Sequence, residues 1–344
     1  MENFEDYMID VMNKASIALM LSVGHRTKLF DSMYDSSWMN SQQLAKRAKL
    51  NERYVREWLG AMVTGKIVDY EPKNKTYSLP EDKTKLLSRG GSFNFASSMQ
   101  WIPALAYVED EIVKCFEKGG GVPYESYHRF HEVMAEESDQ TVIPALIEKI
   151  IPLVPNLVEN LKNGIRVLDV GCGSGRALNL MAKNFPNSRF TGYDFSKEAV
   201  QNANEESKKL GNTNTSFEVQ DVEHFPQEKK FDLVTAFDAI HDQAAPAKVL
   251  ENIRNSVKNN GVFLMQDIGS SSQLENNKTH PLGPFLYTVS CLHCMTVSLA
   301  LNGHGLGAMW GKEKAIEMLK QAGFSSIDVK QLPHDPINYY YIAK

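Results

Sequence analysis

A glycine-rich turn behind a buried carboxylate is the part of this sequence best suited to bind a ligand. Residues 167–170 have the apolar, β-branched pattern of a buried strand that contains Asp169, and residues 177–182 have the periodicity of a helix. Glycines between a strand and a helix allow a sharp turn and the close approach of a ligand. The pattern predicts a nucleotide-like ligand at the start of the helix. The glycines of this turn are Gly171, Gly173 and Gly175.

The residues around these glycines indicate which kind of nucleotide would bind. No Gly-Lys-Ser/Thr follows them, which excludes a Walker-type phosphate loop. A dinucleotide site prefers Gly-x-Gly-x-x-Gly facing a pyrophosphate, whereas this turn reads Gly-x-Gly-x-Gly with Asp169 just before it. A carboxylate beside the ligand favours a cation over a phosphate. A Rossmann-like domain for some other nucleotide is the alternative.

Acidic residues also end the next two predicted strands. Residues 190–194 end in Asp194, and residues 215–221 end in Asp221. Alternation of strands and helices predicts an α/β domain with a doubly wound, mostly parallel sheet. A last hairpin is expected with its turn at residues 335–338. Further strands are predicted at 231–238 and 261–267, with helices at 196–209 and 247–258.

Taken together, these motifs resemble those of the class I S-adenosylmethionine (SAM) methyltransferases. The resemblance implies a Rossmann-like, seven-stranded sheet and SAM as the cofactor, which carries an ammonium and a sulfonium. It also implies that Asp194 binds both ribose hydroxyls, and that Asp221 or its neighbour's backbone amide meets the adenine. The residues that it assigns to the cofactor are Asp169, Gly171, Cys172, Gly173, Asp194, Phe195, Asp221, Val222 and Phe237.

A histidine after the fourth strand is the leading candidate for catalysis. The chain reads Phe237-Asp238-Ala-Ile-His241-Asp242, and the carboxyl ends of the strands are where ligands bind in open α/β sheets. The plant-type O-methyltransferases have a His-Asp pair here, so the resemblance implies that His241 is a general base. An imidazole with an ordinary pKa near 6.5 suits that role. A histidine that caps the next helix is the alternative.

Three further residues are predicted to bind the acceptor. Tyr124 and Tyr127 follow the run Lys118-Gly-Gly-Gly-Val-Pro, which predicts a mobile flap over the ligands; a plain connector is the alternative. His304 lies between glycines, which permit close approach to a ligand. Substrate contacts are therefore expected from both segments.

Cys291-Leu-His293-Cys294 contains residue types that bind zinc, but no second ligand pair occurs at the usual spacing. The apolar residues around it predict a buried helix, in which free cysteines are common. We therefore expect no metal.

Residues 1–90 predict a winged helix. Helices at 42–48 and 52–63 precede strands at 67–71 and 76–79. Basic and acidic residues nearly balance there, which disfavours nucleic-acid binding. The helix at 7–23 has more apolar residues than a small domain covers, so a homodimer is expected. The resemblance also implies a dimerisation role for this domain. A longer apolar helix is predicted from residue 93 to residue 107.

Composition predicts a two-domain, cytoplasmic enzyme. The chain has 344 residues, 42% of them hydrophobic, a net charge of −5 and four cysteines, and we expect no membrane span. The predicted segments are a winged-helix dimerisation domain (1–90), a helical linker with the flap (91–163) and a SAM-binding domain (164–344). The predicted function is methyl transfer to O or N of a small molecule. A SAM-sensing, DNA-binding regulator is the alternative, as is a different reaction that uses SAM as an electrostatic aid.

Overall fold

The computed structural model describes residues 3–91, 93–225, 228 and 230–344. These divide into two compact units, the first formed by Met1–Ala106 with Glu132–Gln140 and the second by Tyr107–His131 with Thr141–Lys344. The borders expected from the sequence, at residues 90 and 163, stay predictions.

The first unit contains the predicted helix-turn-helix and hairpin. Asn40 begins the third helix with a capping box, in which its side chain and that of Gln43 each bond the other's backbone N–H at 2.9 Å. Trp58, on the fourth helix, is buried and donates to the Met20 carbonyl at 2.9 Å. The elements are α1 (Phe4–Arg26), α2 (Leu29–Ser32), α3 (Ser41–Ala48), α4 (Glu52–Thr64), β1 (Asp69–Glu71), β2 (Thr76–Ser78), α5 (Glu81–Leu87), α6 (Phe95–Ser98) and α7 (Trp101–Ala106).

The single helix predicted between residues 93 and 107 is wrong. The chain forms α6 and α7 instead, separated at Met99 and Gln100. Pro103 gives a physical reason, because a proline inside a longer helix would remove a hydrogen bond and clash with the preceding turn. Near the start of a helix, as in α7, a proline is tolerated.

Glu136 joins a returning helix to the rest of the first unit. Helix α8 (Glu109–Lys118) belongs to the second unit, whereas most of α9 (Phe130–Ser138) belongs to the first. The Glu136 carboxylate accepts hydrogen bonds from His25 at 2.8 Å, Ser97 at 2.8 Å and Gln100 at 2.7 Å. The His25 bond is the main cause that lowers the pKa of Glu136 to about 2, against the effect of burial.

The second unit has a seven-stranded sheet in the order β5-β4-β3-β6-β7-β9-β8. The five strands from β5 to β7 pair in parallel, and β9 is antiparallel to both of its neighbours. The doubly wound sheet predicted from the sequence is thus confirmed. The strands are β3 (Arg166–Val170), β4 (Arg189–Asp194), β5 (Thr215–Val219), β6 (Phe231–Phe237), β7 (Val257–Ile268), β8 (Ile327–Leu332) and β9 (Asp335–Ala343).

Helices cover both faces of this sheet and create two cores. Val167 and Leu233 belong to one core, and Leu168 and Val234 to the other, because successive side chains of a strand point to opposite faces. The helices of this unit after α8 are α10 (Val142–Ala145), α11 (Leu157–Asn163), α12 (Arg176–Asn184), α13 (Lys197–Leu210), α14 (Pro246–Ser256), α15 (Leu274–Asn277), α16 (Gly283–Val289), α17 (Met295–Ala300) and α18 (Gly311–Gln321).

The turn predicted at residues 335–338 is also wrong. Strand β9 already begins at Asp335, so the chain reverses at residues 333 and 334. The buried Asp335 carboxylate accepts hydrogen bonds from Asn338 at 3.0 Å and from the Tyr340 hydroxyl at 2.6 Å. These bonds stabilise residues 335–338 as part of the strand.

One helical stretch, Gly283–Ala300, is long and apolar enough to cross a membrane, and the bent pair Glu132–Leu153 with Leu157–Asn163 passes the same test jointly. Of the first stretch, 44% is buried inside the fold, and core helices commonly share its composition. These helices are therefore weak evidence for a membrane-spanning segment. The absence of membrane contact that the sequence indicated stays a prediction.

We predict that Glu136→Gln lowers the free energy of unfolding by about 1 kcal/mol at pH 7, since charge-assisted hydrogen bonds to a partly exposed group are lost. A depressed carboxyl pKa contributes stability above the unfolded value of 4.5, and this contribution disappears as the pH falls towards 2. The difference between variant and wild type should therefore shrink below pH 4.5 in urea titrations at several pH values. A difference that grows on acidification would contradict this account.

Candidate active site

The glycine turn after β3 has the backbone that the sequence predicted. Gly171, Gly173 and Gly175 have φ values of +72°, +52° and +68°, in the left-handed region that favours glycine. A Cβ on Gly171 would lie 2.5 Å from Ala239, and one on Gly175 would lie 2.6 Å from Phe217. A Cβ on Gly173 would meet no atom within 4 Å. The outer two glycines thus permit close packing, while the middle one borders open space.

Two buried carboxylates border this turn. Asp194, at the end of β4, accepts hydrogen bonds from the backbone N–H groups of Gly173 and Ser196, each at 2.9 Å. Asp169 accepts one from the Thr235 hydroxyl at 2.7 Å. Burial, together with the Asp194 charge, raises the pKa of Asp169 to about 7. A ligand with a positive charge would compensate both acids, so the residues present fit the cationic cofactor expected from the sequence.

The other predicted cofactor residues lie at the same edge of the sheet. Phe195 directly follows Asp194 and is 55% exposed, which leaves its ring available to an aromatic ligand. Burial raises the pKa of Cys172 well above its usual value, so its thiol is a neutral group and not a nucleophile. Phe237 is half-buried at the end of β6.

Asp221 and Val222 follow β5, beside the strand that ends in Asp194. The Asp221 side chain is exposed and bonds His224 at 2.8 Å and the backbone N–H of Glu223 at 2.9 Å. Val222 is buried. The adenine contacts expected of this pair stay predictions.

His241 lies at the carboxyl edge of the sheet, between two aspartates. Its Nδ1 is 2.7 Å from Oδ1 of Asp267, and its Nε2 is 3.2 Å from Oδ1 of Asp242. The second approach lacks hydrogen-bond geometry, because Asp242 Oδ1 has no hydrogen-bond partner in the described part of the chain. An ionised carboxylate only accepts hydrogen bonds, so Nδ1 carries the proton that Asp267 binds. In the neutral ring, Nε2 then has the lone pair.

Asp267 is the site residue that the sequence reasoning missed. It ends the long strand β7, is fully buried, and also accepts hydrogen bonds from Trp310 Nε1 at 3.0 Å and from the Ile268 N–H at 2.8 Å. The signal was available, since Asp267 is another acid at a strand end. Its pairing with His241 depends on the register between β6 and β7, which the sequence pattern does not specify.

The charges around His241 make its ring more basic. Burial lowers the pKa of an imidazole, but the carboxylates of Asp267 and Asp242 outweigh burial here and raise the pKa of His241 well above its usual value. The thiol of Cys294 lies in the same cluster: its sulfur, a ring nitrogen of His241 and a carboxylate oxygen of Asp242 all lie within 4.8 Å of one another. Burial raises the pKa of Cys294 to about 12, so that its thiol is neutral.

Aromatic side chains from residues 124–130 gather around His293 in the second unit. Phe130 stacks on the His293 ring with centroids 3.7 Å apart, and Tyr124 and Tyr127 meet it edge-on at 5.3 Å and 4.8 Å. Tyr124 also meets Phe195 edge-on, with their ring centroids 5.5 Å apart. Of the two predicted acceptor residues, Tyr124 therefore lies beside Phe195, a predicted cofactor residue, and Tyr127 packs against the same His293 ring. Phe130 was not predicted from the sequence.

The predicted flap is fixed to the helical stretch that ends in α17. The Val122 N–H donates to the Thr296 hydroxyl at 2.8 Å, and the Tyr127 hydroxyl donates to the Leu292 carbonyl. A Cβ on Gly121 would lie 2.0 Å from the Thr296 carbonyl oxygen, so this glycine permits close packing. Residues 290–294 form a π-helical turn between α16 and α17. Such turns occur frequently at functional sites.

His304 lies outside this cluster. Its side chain is exposed, and its backbone N–H donates to the Ala244 carbonyl at 2.9 Å. Its expected contact with an acceptor stays a prediction.

Comparisons with known proteins agree with this architecture. Residues 161–323 match the family model described as "Methyltransferase domain", and residues 15–89 match that of the Rv2258c-like winged HTH domain. In fold, the chain is similar to a proposed O-methyltransferase of Nostoc punctiforme, with a TM-score of 0.76, 17% identity and 98% of each chain covered. It is also similar to human N-acetylserotonin methyltransferase solved with SAM, with a TM-score of 0.73, 15% identity, and 100% of this chain and 98% of that chain covered.

Curated relatives match shorter segments. Malonyl-[acyl-carrier protein] O-methyltransferase 1 of Ilyobacter polytropus is 40% identical over 90 residues, which cover 25% of this chain and 32% of that protein. (S)-coclaurine N-methyltransferase of Papaver somniferum is 28% identical over 108 residues, which cover 31% of each. The chain thus spans about a third of the length of these two relatives. The match over residues 161–323 nevertheless identifies a methyltransferase domain of the class I SAM-dependent type, preceded by a winged helix-turn-helix domain at residues 15–89.

Proposed function

We propose that this chain transfers the methyl group of SAM to an oxygen or nitrogen atom of a small molecule, with His241 as the general base. The observation that supports this best is the hydrogen bond between His241 and Asp267, at the sheet edge that also carries the glycine turn. A base in a fixed orientation beside a cofactor site meets the geometric requirement for proton removal.

When bound, SAM supplies a methyl group that its sulfonium charge has already activated. The protein's remaining tasks are to bind, orient and deprotonate the acceptor. In the proposed mechanism, Asp194 would hold the ribose hydroxyls and Asp169 would face the cationic part of the cofactor. An acceptor hydroxyl would give its proton to Nε2 of His241 as its oxygen takes the methyl group, whereas an acceptor ammonium would first lose a proton to Nε2, which frees the nitrogen lone pair that then takes the methyl group. Asp267 then stabilises the imidazolium.

The choice between oxygen and nitrogen stays open in this proposal. The relative from Ilyobacter polytropus is named an O-methyltransferase, and the relative from Papaver somniferum an N-methyltransferase. Tyr124, Phe130 and His293 favour a flat acceptor, because their rings offer aromatic surfaces near Asp242. The DNA-binding regulator is not favoured, because the larger matched segment is a methyltransferase domain.

The proposed enzyme is a cytoplasmic homodimer that associates through α1. This helix exposes a row of apolar side chains that the rest of its unit does not cover, and such a surface is typical of association. The exposed residues are Phe4, Tyr7, Met8, Ile9, Val11, Met12, Leu19 and Val23.

We predict that Asp194→Asn weakens binding of SAM and of S-adenosylhomocysteine by about 10- to 100-fold, because hydrogen bonds to a charged group contribute about 1.5–3 kcal/mol. Isothermal titration calorimetry measures both affinities. Asp232→Asn is the matched control, since Asp232 lies at the opposite end of β6 and bonds Lys258 at 2.8 Å. Equal binding by both variants would contradict the cofactor role of Asp194.

We predict that His241→Gln lowers the rate of single-turnover methyl transfer by about 10²- to 10⁴-fold and leaves SAM affinity nearly unchanged. Radiolabelled SAM with catechol, tyramine and 4-hydroxyphenylacetate measures this rate, with phenethylamine as a nitrogen acceptor. His304→Gln is the contrasting variant, for which we expect a raised KM for the acceptor and an unchanged rate at saturating acceptor. A His241→Gln enzyme as fast as the wild type would rule out the base.

The pH dependence should follow from the same charges. The base must be neutral, so we predict that kcat/KM is low in acid and rises with pH through a pKa above 6.5, because Asp267 and Asp242 favour the imidazolium against burial. Asp242→Asn should move this rise to lower pH. A profile that falls across the neutral range would contradict the assignment.

We predict that Met12→Glu, on the exposed face of α1, shifts the chain from dimer to monomer in light scattering coupled to size exclusion. A charged residue in an apolar interface loses its hydration on association. Glu109→Gln, at the start of α8, is the control and should change nothing. A monomeric wild type would contradict the proposal.

A further inference from the structure

Asp238 is an acidic residue beside His241 to which the proposed mechanism gives no role. One atom each of Asp238, His241 and Asp267 lie within 4.8 Å of one another. Asp238 follows β6 with a φ of +49°, a conformation that non-glycine residues seldom adopt and that is often associated with functional sites. Its backbone N–H donates to the Gln266 carbonyl at 3.0 Å, which holds it beside β7.

The carboxyl groups of Asp238 and Asp267 each have one oxygen that accepts hydrogen bonds and one that has no partner among the described residues. Asp238 Oδ2 accepts from the Gln266 amide at 2.8 Å, and Asp267 Oδ1 accepts from His241, Trp310 and the Ile268 N–H. Asp238 Oδ1 and Asp267 Oδ2 are buried and have no hydrogen-bond partner in the part of the chain that the structure describes. Two ionised carboxylates so close together would repel each other, with no donor between them.

We propose that Asp238 and Asp267 share one proton, which Asp238 carries, and that this proton keeps His241 available as a base. The Oδ1–H group of Asp238 donates to Asp267 Oδ2, which satisfies both buried oxygens with a single hydrogen bond. The pair then has one negative charge, on Asp267, to attract a second proton to His241. Asp238 is thus a positioning residue for the charge of the base, and the inference rests on the proposed role of His241.

The surroundings of Asp238 favour its protonated form. Burial first, and then the Asp267 charge, raise the pKa of Asp238 to about 7, against the smaller opposing effects of His241 and Gln266. From β9, the Asp335 charge acts in the same direction. Tyr340, on the same strand, donates its hydroxyl to Asp335 and not to Asp238. The charged or titratable groups facing Asp238 are therefore Asp267 on β7, Asp335 and Tyr340 on β9, and His241 after β6.

Two substitutions at position 238 distinguish a neutral Asp238 from an ionised one, because the pKa of His241 changes in opposite directions in the two cases. Asp238→Asn is neutral, tolerates a left-handed φ, and can donate its amide N–H to Asp267 while accepting from Gln266. Asp238→Gly also tolerates this φ but has no donor. If Asp238 is neutral, removing its O–H donor leaves the Asp267 carboxylate more able to attract a proton to His241, and the pKa of His241 rises. If Asp238 is an anion, removing its charge lowers the pKa of His241.

The test is a titration of the His241 ring by NMR in the full chain with ¹³C-labelled histidine, with its signal assigned by its absence in His241→Gln. We expect the pKa of His241 in Asp238→Asn to stay within about half a unit of the wild type, and that in Asp238→Gly to rise by about one unit. A fall of about one unit in both variants would show an anionic Asp238 and overturn the proposal. No change in either variant would also overturn it.

Infrared spectroscopy provides a second readout that does not depend on the glycine variant. Asp169, with its pKa of about 7, contributes to the protonated-carboxyl band at pH 6 in both proteins. A band that is weaker in Asp238→Asn than in the wild type by one carboxyl group supports the proposal, and identical spectra overturn it. If Asp238→Gly fails to fold, Asp238→Ala takes its place in the titration. Neither the NMR titration nor the infrared measurement needs an acceptor, so both test only the shared proton. Whether His241 is the base is tested separately, by the turnover of His241→Gln, and the two ideas can therefore fail independently.

Discussion

The hydrogen bond between His241 and Asp267 is the interaction on which the proposed chemistry depends. It orients a buried imidazole, and it persists because Trp310 and the backbone N–H of Ile268 hold Asp267 in place. The parallel pairing of β6 with β7 brings the loop after one strand beside the end of the other. The sheet register therefore determines where the base lies, and the helices that cover the sheet maintain that register.

Negative charge is concentrated at this edge of the sheet. Asp169, Asp194, Asp238 and Asp267 all lie at or just beyond strand ends, and burial is the main cause that raises the pKa of Asp169 and of Asp238 to about 7. Backbone N–H groups donate to Asp194, and the His241 imidazole donates to Asp267. In the proposed function, the positive charge of SAM compensates Asp169, so that cofactor binding and the charge state of His241 depend on each other.

The sequence predicted the elements whose patterns are local. The strands of the sheet and the glycine turn are confirmed, since side-chain alternation and backbone freedom depend on neighbouring residues. The break before α7 and the early start of β9 were missed, because Pro103 and the bonds to Asp335 override apolar patterns. The partner of His241 and the stacking of Phe130 on His293 join residues far apart in the chain, which a single sequence does not reveal.

The π-helical turn at Ser290–Cys294 makes the position of His293, and with it the aromatic cluster around that ring, sensitive to chain length. A π turn is equivalent to one extra residue in an α-helix, so removing one residue would restore regular helical bonding and rotate the residues on one side of it by about 100° relative to the other. A different side chain would then stand where His293 now stacks on Phe130. Relatives that differ by a single insertion or deletion at this point would present a different side chain to Phe130 while they keep His241 and the glycine turn.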